Sequence, residues 1–495
     1  MTVPKFPPGF LWGASASAFQ TEGAVDEDGK GLSGWDAFAA VPGRIKDGTD
    51  TTRGTGFLEH WREDVGLLAG LGADAFRFSI SWPRVVPGGS GAVNPAGLDF
   101  YDRLVDELCA RGITPAPTLY HWDTPLPLDE EGGWLNRDTA YRFAEYAGIV
   151  AERLADRVPM WITINEPAEV TLLGYALGQH APGRALLFDA LPAAHHQLLA
   201  HGLAVRALRA AGASNIGIAV SHSPVWTAGD SDEDRDAAGL YDTLTNWLFA
   251  DPLLAGRYPD EGFAALMPGP VADDLKTIST PLDWYGVNYY NPTLVGAPRR
   301  PETLESFAGF EIPAELPFGI REIEGYEKTD FGWPVVPDGL RETLVGLRDR
   351  YGDRLPPLYI TENGCAVDDA VNDTRRIAFL EAHLGALHRA IGEGVDVRGY
   401  FTWSLTDNVE WTEGASKRFG LVHIDYETLR RTPKESYAWY RDTIRAQRVP
   451  AGAESVPPGD EEPGAVAVES RTEIIGQQAA GVAEPAGAET PVRPV

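Results

Sequence analysis

Two glutamates of this chain each close an apolar run. Met160-Trp161-Ile162-Thr163-Ile164 leads into Asn165-Glu166-Pro167, and Leu358-Tyr359-Ile360-Thr361 leads into Glu362-Asn363-Gly364. Runs that are apolar on both faces read as buried parallel strands. A carboxylate at the carboxyl end of such a strand stands where α/β sheets and barrels collect their chemistry. Asn363-Gly364 is expected to stop the second run as a turn, since both residues tolerate positive φ cheaply. Two facing carboxylates suit the hydrolysis of a glycosidic bond, one ionised to attack and one protonated to release the leaving oxygen. Arg77 lies in an apolar run, Asp74 to Ile80, and there demands a partner; it is the natural counter-ion for Glu362. Glu166 sits between Asn165 and the fixed ring of Pro167 with no cation beside it in sequence. A negative Glu362 would raise the pKa of Glu166 and keep its proton on.

These groups need a scaffold that brings strand ends together, and the chain supplies eight alternations of strand and helix. Short apolar runs fall at 10–17, 74–80, 114–119, 160–164, 216–220, 284–290, 358–361 and 398–403. Between them lie helical patterns near 61–71, 94–109, 137–157, 186–211, 235–254, 339–351 and 372–392, with a last helix near 434–447. This is the pattern of a (β/α)8 TIM barrel, α/β in class and a single domain. Residues 291–337 are rich in Pro and Gly with little periodicity and read as a long loop over the active face. The catalytic domain is expected over residues 1–447. Residues 448–495, Ala/Gly/Pro/Glu-rich and without aromatics, form a tail expected to be disordered.

In a barrel the polar residues at these strand ends converge on one mouth. They are Gln20, Arg77, His121, Asn165, Glu166, Asn288, Tyr290, Glu362, Trp403, Glu410 and Trp411. Taken singly, His121 reads as a packed core histidine, Glu410 as a solvated loop charge and Trp403 as a core plug. Their common location at one end of separate strands is hard to explain by packing alone. No His/Asp/Cys cluster has metal-ligand spacing, so no metal is expected. A Schiff-base lysine and a Gly-rich phosphate loop are missing from the strand ends as well, and no cofactor is expected. Cys365, three residues past Glu362, reads as packing, and Cys109 as a structural mid-helix residue.

The 495 residues, 43% hydrophobic and 10% aromatic, suffice for a sizeable core. Fourteen Trp would furnish flat platforms of the kind sugars need, although core packing is their usual fate. A formal charge of −30 argues against nucleic acid and anionic membranes as partners. Two cysteines cannot build a disulfide framework. Met1 to Gly9 lacks the features of a secretory signal, and no stretch approaches the length of a membrane span. A cytoplasmic protein, monomeric or homo-oligomeric, acting on a small molecule is the expectation.

The motifs Phe10-Leu11-Trp12-Gly13-Ala14-Ser15 with Gln20-Thr21-Glu22-Gly23, Tyr120-His121-Trp122-Asp123, Thr163-Ile164-Asn165-Glu166-Pro167, Ile360-Thr361-Glu362-Asn363-Gly364 and Trp403-Ser404-Leu405-Thr406-Asp407-Asn408 resemble family 1 of the glycoside hydrolases, the β-glucosidase family. The resemblance covers residues 6 to about 445. It implies a retaining double displacement with Glu166 as acid/base and Glu362 as nucleophile, steadied by Arg77, Asn288 and Tyr290. It assigns Gln20, His121, Trp122, Asn165, Trp403, Glu410 and Trp411 to the non-reducing sugar, with Phe419 near C6. On the aglycone side it implies Glu169, Leu173, His180 and Trp333. It also implies a cis bond between Trp403 and Ser404. Two departures stand out. Thr406 and Val409 replace bulkier apolar residues, and Ala168-Glu169 follow the Asn-Glu-Pro motif where an aromatic often sits. Three other readings compete with a β-glucosidase: a 6-phospho-β-glycosidase, a transglycosylase using the same intermediate, and a sugar-binding protein without activity. In the last, one carboxylate is usually lost, and both are present here.

Overall fold

The computed structural model describes residues 3–299, 306–307, 310–311, 313, 315–368 and 371–448. Eight parallel strands close a barrel: β1 (Leu11–Ser15), β2 (Ala75–Ser79), β3 (Thr114–Tyr120), β4 (Trp161–Asn165), β5 (Ile216–Ser221), β6 (Tyr285–Asn288), β7 (Leu358–Asn363) and β8 (Val397–Trp403). Each pairs with its sequence neighbours. Closure comes from β1 against β8, in register from Leu11↔Gly399 to Ser15↔Trp403. The eight strands are those anticipated from the apolar runs.

The period of two along β2 shows how sequence becomes layer. Phe76 and Phe78 point outward into the main core between strands and helices. Ala75 joins a small plug inside the barrel with Ala116, Met160, Ile162, Ala219, Trp284 and Phe401, and Arg77 reaches the site at the barrel's mouth. Helices Phe57–Leu71, Pro95–Ala110, Asp138–Leu154, Leu191–Ala210, Pro337–Tyr351 and Thr374–Gly392 cover the outside. Helix Glu435–Arg448 completes the ring, its Tyr440 hydroxyl donating to the Gly13 carbonyl at 3.0 Å.

Three expectations are corrected. The stretch 291–337 is not a featureless loop, because Thr293–Gly296 pairs with Val225–Thr227 on one side and with Gly319–Arg321 on the other. Strands of three and four residues are too short for an alternation to register. Asn363-Gly364 is not a positive-φ turn. Asn363 ends β7, donating to the Tyr289 carbonyl (2.8 Å) and accepting from the Tyr400 hydroxyl (2.8 Å). Gly364 is required by a close approach instead, since a Cβ there would lie 1.8 Å from the Trp403 carbonyl oxygen. Cys109 is the penultimate residue of its helix and exposed, not mid-helix. The tail from 448 onward lies outside the described residues except Arg448, which ends the last helix. Among the described residues no helix is long and apolar enough to cross a membrane.

Candidate active site

The mouth of the barrel holds a cavity of about 290 Å³. Glu166 and Glu362 both line it, with Trp403, Glu410 and Phe419 also on its wall. The strand ends therefore converge as anticipated, and the two carboxylates have unlike surroundings. Arg77, 1% exposed, donates from Nη1 to Glu362 Oε1 (2.5 Å) and from Nη2 to Asn165 Oδ1 (2.6 Å). The Tyr290 hydroxyl donates to the other oxygen of Glu362 at 2.7 Å. Glu362 thus holds a guanidinium on one oxygen and a phenol on the other.

Among the described residues Glu166 receives only amide donors. Asn165 Nδ2 donates to its Oε2 at 3.1 Å, and the Asn288 amide also acts on it. Burial raises its pKa well above the ordinary carboxylate range, the negative Glu362 and then Glu169 push the same way, and Asn288 and Arg77 oppose them. Glu166 adopts a left-handed backbone (φ 46°) between β4 and the turn begun by Pro167. Trp122 (φ 76°) and Trp411 (φ 48°) share this unusual conformation. Non-glycine residues with such φ cluster where a site holds strain.

The surrounding side chains form an aromatic and polar bowl. Trp122 stacks on Trp411 (4.2 Å between centroids), and His121 lies stacked between Trp403 and Trp411 at 5.8 and 5.9 Å. Asn165 Nδ2 meets His121 Nε2 at 3.1 Å, while the buried His121 Nδ1 has no protein partner. Burial and Arg77 hold His121 neutral, its pKa well below the usual value. Glu410 is pushed up to about 8 by burial and by Glu362 and Glu413, against hydrogen bonds from Gln20 and Trp403. Trp403–Ser404 is cis, as the resemblance implied.

The structure places two residues differently from the sequence reading. Gln20 does not reach the cavity wall. It is fully buried behind Glu410, accepting from the Ser17 hydroxyl and donating to Asn408 Oδ1, the Val409 carbonyl and Glu410 Oε2. Asn288 does not bond Glu362. Its amide donates to Asn165 Oδ1 (3.0 Å) and its carbonyl accepts from the Thr361 hydroxyl (2.6 Å), although a register shift between β6 and β7 sets Asn288 opposite Glu362. On the aglycone side Glu169, Leu173, His180 and Trp333 all line the cavity, with Trp333 stacked on Phe331 at 4.1 Å.

Sequence reasoning missed the buried charges beneath the bowl. Asp407 accepts from Lys434 Nζ (2.7 Å), Arg418 Nη1 (3.1 Å) and the Gly420 amide (3.0 Å), and it anchors the loop that carries Glu410 and Trp411. Arg376, paired with Asp373, donates to the Phe419 carbonyl. A buried aspartate inside a motif otherwise aimed at sugar was the available signal.

Comparison with known proteins agrees with this geometry. Residues 2–449 match the model of glycosyl hydrolase family 1. The chain belongs to that family. It is accordingly an O-glycosyl hydrolase. A thermostable β-glucosidase B of Thermobispora bispora is 48% identical over 454 residues, covering 89% of this chain and 91% of that one. A bifunctional β-D-glucosidase/β-D-fucosidase of Bifidobacterium breve is 44% identical, covering 89% and 98%. Among solved structures, the psychrophilic β-glucosidase of Micrococcus antarcticus superposes with a TM-score of 0.85 at 44% identity, covering 90% of this chain and 98% of that one. The Thermotoga maritima family 1 enzyme in complex with isofagomine lactam gives 0.83 at 40% identity, covering 90% and 99%.

Proposed function

We propose that this family 1 hydrolase is a retaining β-glucosidase, releasing terminal non-reducing β-D-glucosyl residues and accepting β-D-fucosides. One observation carries the reading: two carboxyls share a cavity, one held by a cation and a phenol, the other, among the described residues, by amides alone. In the first step a Glu362 oxygen attacks the anomeric carbon from below while Glu166 gives its proton to the departing oxygen, and a covalent glycosyl-enzyme forms. In the second, Glu166 takes a proton from water, the water oxygen attacks the anomeric carbon, and the bond to Glu362 breaks. His121 and Glu410 are proposed to hold the sugar's hydroxyls, with Trp403, Trp411 and Trp122 packing against its ring and Phe419 near C6. Asn165 and Gln20 act one step back, orienting His121 and Glu410.

A 6-phosphorylated sugar is disfavoured. Among the described residues, no Lys or Arg side chain lines the cavity, so a phosphate would enter a buried pocket beside Glu410 without a counter-ion. Both cysteines are free thiols, Cys109 exposed, which supports a reducing compartment and a cytoplasmic location.

The test is Glu362→Ala with added azide. Turnover of β-glucosides should vanish and return as α-glucosyl azide; restored β product would overturn the double displacement. A crystal structure supplies a second check, since the two carboxyl groups should lie about 5–5.5 Å apart rather than at the ~6.5–9.5 Å of inverting enzymes.

A further inference from the structure

The cavity extends well past the bowl, and its lining there is of two kinds. One is apolar, with Leu173, Phe188, Leu316, Phe318 and the Phe331–Trp333 stack. The other is polar, with Glu169, Ser221, His222, Tyr241, Asn246 and Thr293.

Most of the polar wall is already committed within the protein. Asn246 donates to the Ser223 carbonyl and to Asp242, and its own oxygen faces His222 Nδ1 at 3.0 Å. His222 Nε2 meets the Tyr285 hydroxyl at 2.9 Å. Thr293 engages Ser223 (3.1 Å) and Tyr241. Glu169 is the exception. Among the described residues the Ser221 hydroxyl is the one hydrogen-bond donor acting on its carboxyl, and a carboxylate has about four acceptor positions. It is partly accessible, at a wall of this cavity.

Position adds to this. The Glu169 amide bonds the Glu166 carbonyl at 3.1 Å, so the two carboxyl side chains leave the chain one turn apart. The leaving oxygen must lie within hydrogen-bond reach of Glu166. A hydroxyl one or two carbons further along the leaving group then comes within reach of Glu169. A leaving group with an apolar face for the aromatic stack and a hydroxylated edge for this acceptor matches the two kinds of lining, and a pyranose ring has that form.

Resting on the β-glucosidase reading, we propose that Glu169 is a specificity-determining residue that accepts a hydrogen bond from the leaving group, so that the preferred substrates are β-linked glucose disaccharides rather than glucosides of apolar alcohols or phenols. Ser221 orients the carboxyl, and the Phe331–Trp333 stack carries the apolar face of the second sugar. Burial pushes the Glu169 carboxyl above its ordinary range and the Ser221 hydroxyl opposes that shift; in its ionised form it offers the leaving group a charge-assisted bond.

The experiment compares cellobiose with 2,4-dinitrophenyl β-glucoside in the wild type, Glu169→Gln and Glu169→Ala. Dinitrophenolate leaves without protonation and carries no hydroxyl, so its kcat/KM normalises for the glucosyl pocket. n-Hexyl β-glucoside, whose alcohol needs the proton of Glu166 but carries no further hydroxyl, should keep its ratio to the aryl glucoside, and an equal fall there would assign the loss to Glu166 and overturn the role of Glu169. The ratio of kcat/KM for cellobiose to that for the aryl glucoside should fall by about tenfold or more in Glu169→Ala, the loss of one charge-assisted bond, chiefly through KM. Glu169→Gln should fall between. A ratio unchanged in both variants, or a loss shared equally by both substrates, would overturn the role of Glu169. Failure of the wild type to cleave the aryl β-glucoside would instead overturn the β-glucosidase reading, so the two are distinguishable.

Discussion

Replacing Glu166 by Ala separates the two carboxylates by what each leaving group needs. In the structure Glu166 holds its proton because burial and Glu362 disfavour its charge, and it faces the cavity where the leaving oxygen must sit. Proton donation in the transition state contributes about 10²–10⁴-fold for a poor leaving group. For 2,4-dinitrophenolate it contributes almost nothing, because that anion departs unaided. What remains is the lost bond from Asn165 to Glu166, about 1 kcal/mol or a factor of roughly five. A series of aryl β-glucosides and cellobiose, assayed for kcat/KM, should therefore show a loss that steepens as the leaving group grows more basic. That factor is common to both substrates, so the spread between cellobiose and the dinitrophenyl glucoside should be about a hundredfold at least. The pH profile gives a second reading. An acid with a raised pKa is lost as pH climbs through that value, so the wild type's alkaline limb should lie above the ordinary carboxylate range and flatten in the variant. A uniform loss across leaving groups, or an unchanged alkaline limb, would refute the assignment of Glu166 as the acid.

Glu410→Gln should lower kcat/KM for β-glucosides by on the order of a hundredfold, since charge-assisted bonds to hydroxyls are worth about 1.5–3 kcal/mol each. The same variant should gain stability at alkaline pH. With a folded pKa of about 8 against an ordinary carboxyl value of 4.5, the native state binds the extra proton, so the burial penalty is absent below pH 4.5 and complete above pH 8. Thermal denaturation at pH 4.5 and 8.5 should show a gain only at the higher value, of a few kcal/mol. p-Nitrophenyl β-glucoside 6-phosphate should be essentially inert beside its unphosphorylated form, and faster cleavage of the phosphorylated compound would contradict the proposed pocket. Asp407→Asn would leave Lys434 buried without its counter-charge, at a cost of about 3–5 kcal/mol. A fall in Tm should accompany a raised KM as the loop carrying Glu410 and Trp411 loosens; an unaltered Tm would mean that the pair holds nothing in place.

The barrel was legible because each strand is a short apolar run followed by a helical period, and Arg77 announced a buried partner by standing in such a run. The carboxylates were legible for the same reason, as charges at strand ends. Depth was not. Whether Gln20 faces the cavity or lies behind Glu410 depends on how the 404–411 loop folds over it, and nothing local to Gln20 encodes that. Asn288 failed similarly, because a register shift between β6 and β7 decides which side chain it meets. Glu169 was noticed as a departure, but its spare acceptor capacity follows from partners brought in by β5 and by the strand at Thr293–Gly296. The Asp407–Lys434 pair spans 27 residues and two loops, beyond the reach of any periodicity.

Closure of the barrel also sets a clock. β1 finds its second neighbour only in β8, with Leu11 opposite Gly399. Synthesis at about 5–20 residues per second puts roughly 20–80 s between the emergence of the two. For that interval Trp12 and Ala14 belong to an open sheet edge of a nascent chain. The enzyme's demand on chaperones is therefore set by the time its first strand waits on the ribosome, and overexpression at a temperature that slows translation less than it slows aggregation should raise the yield of active protein.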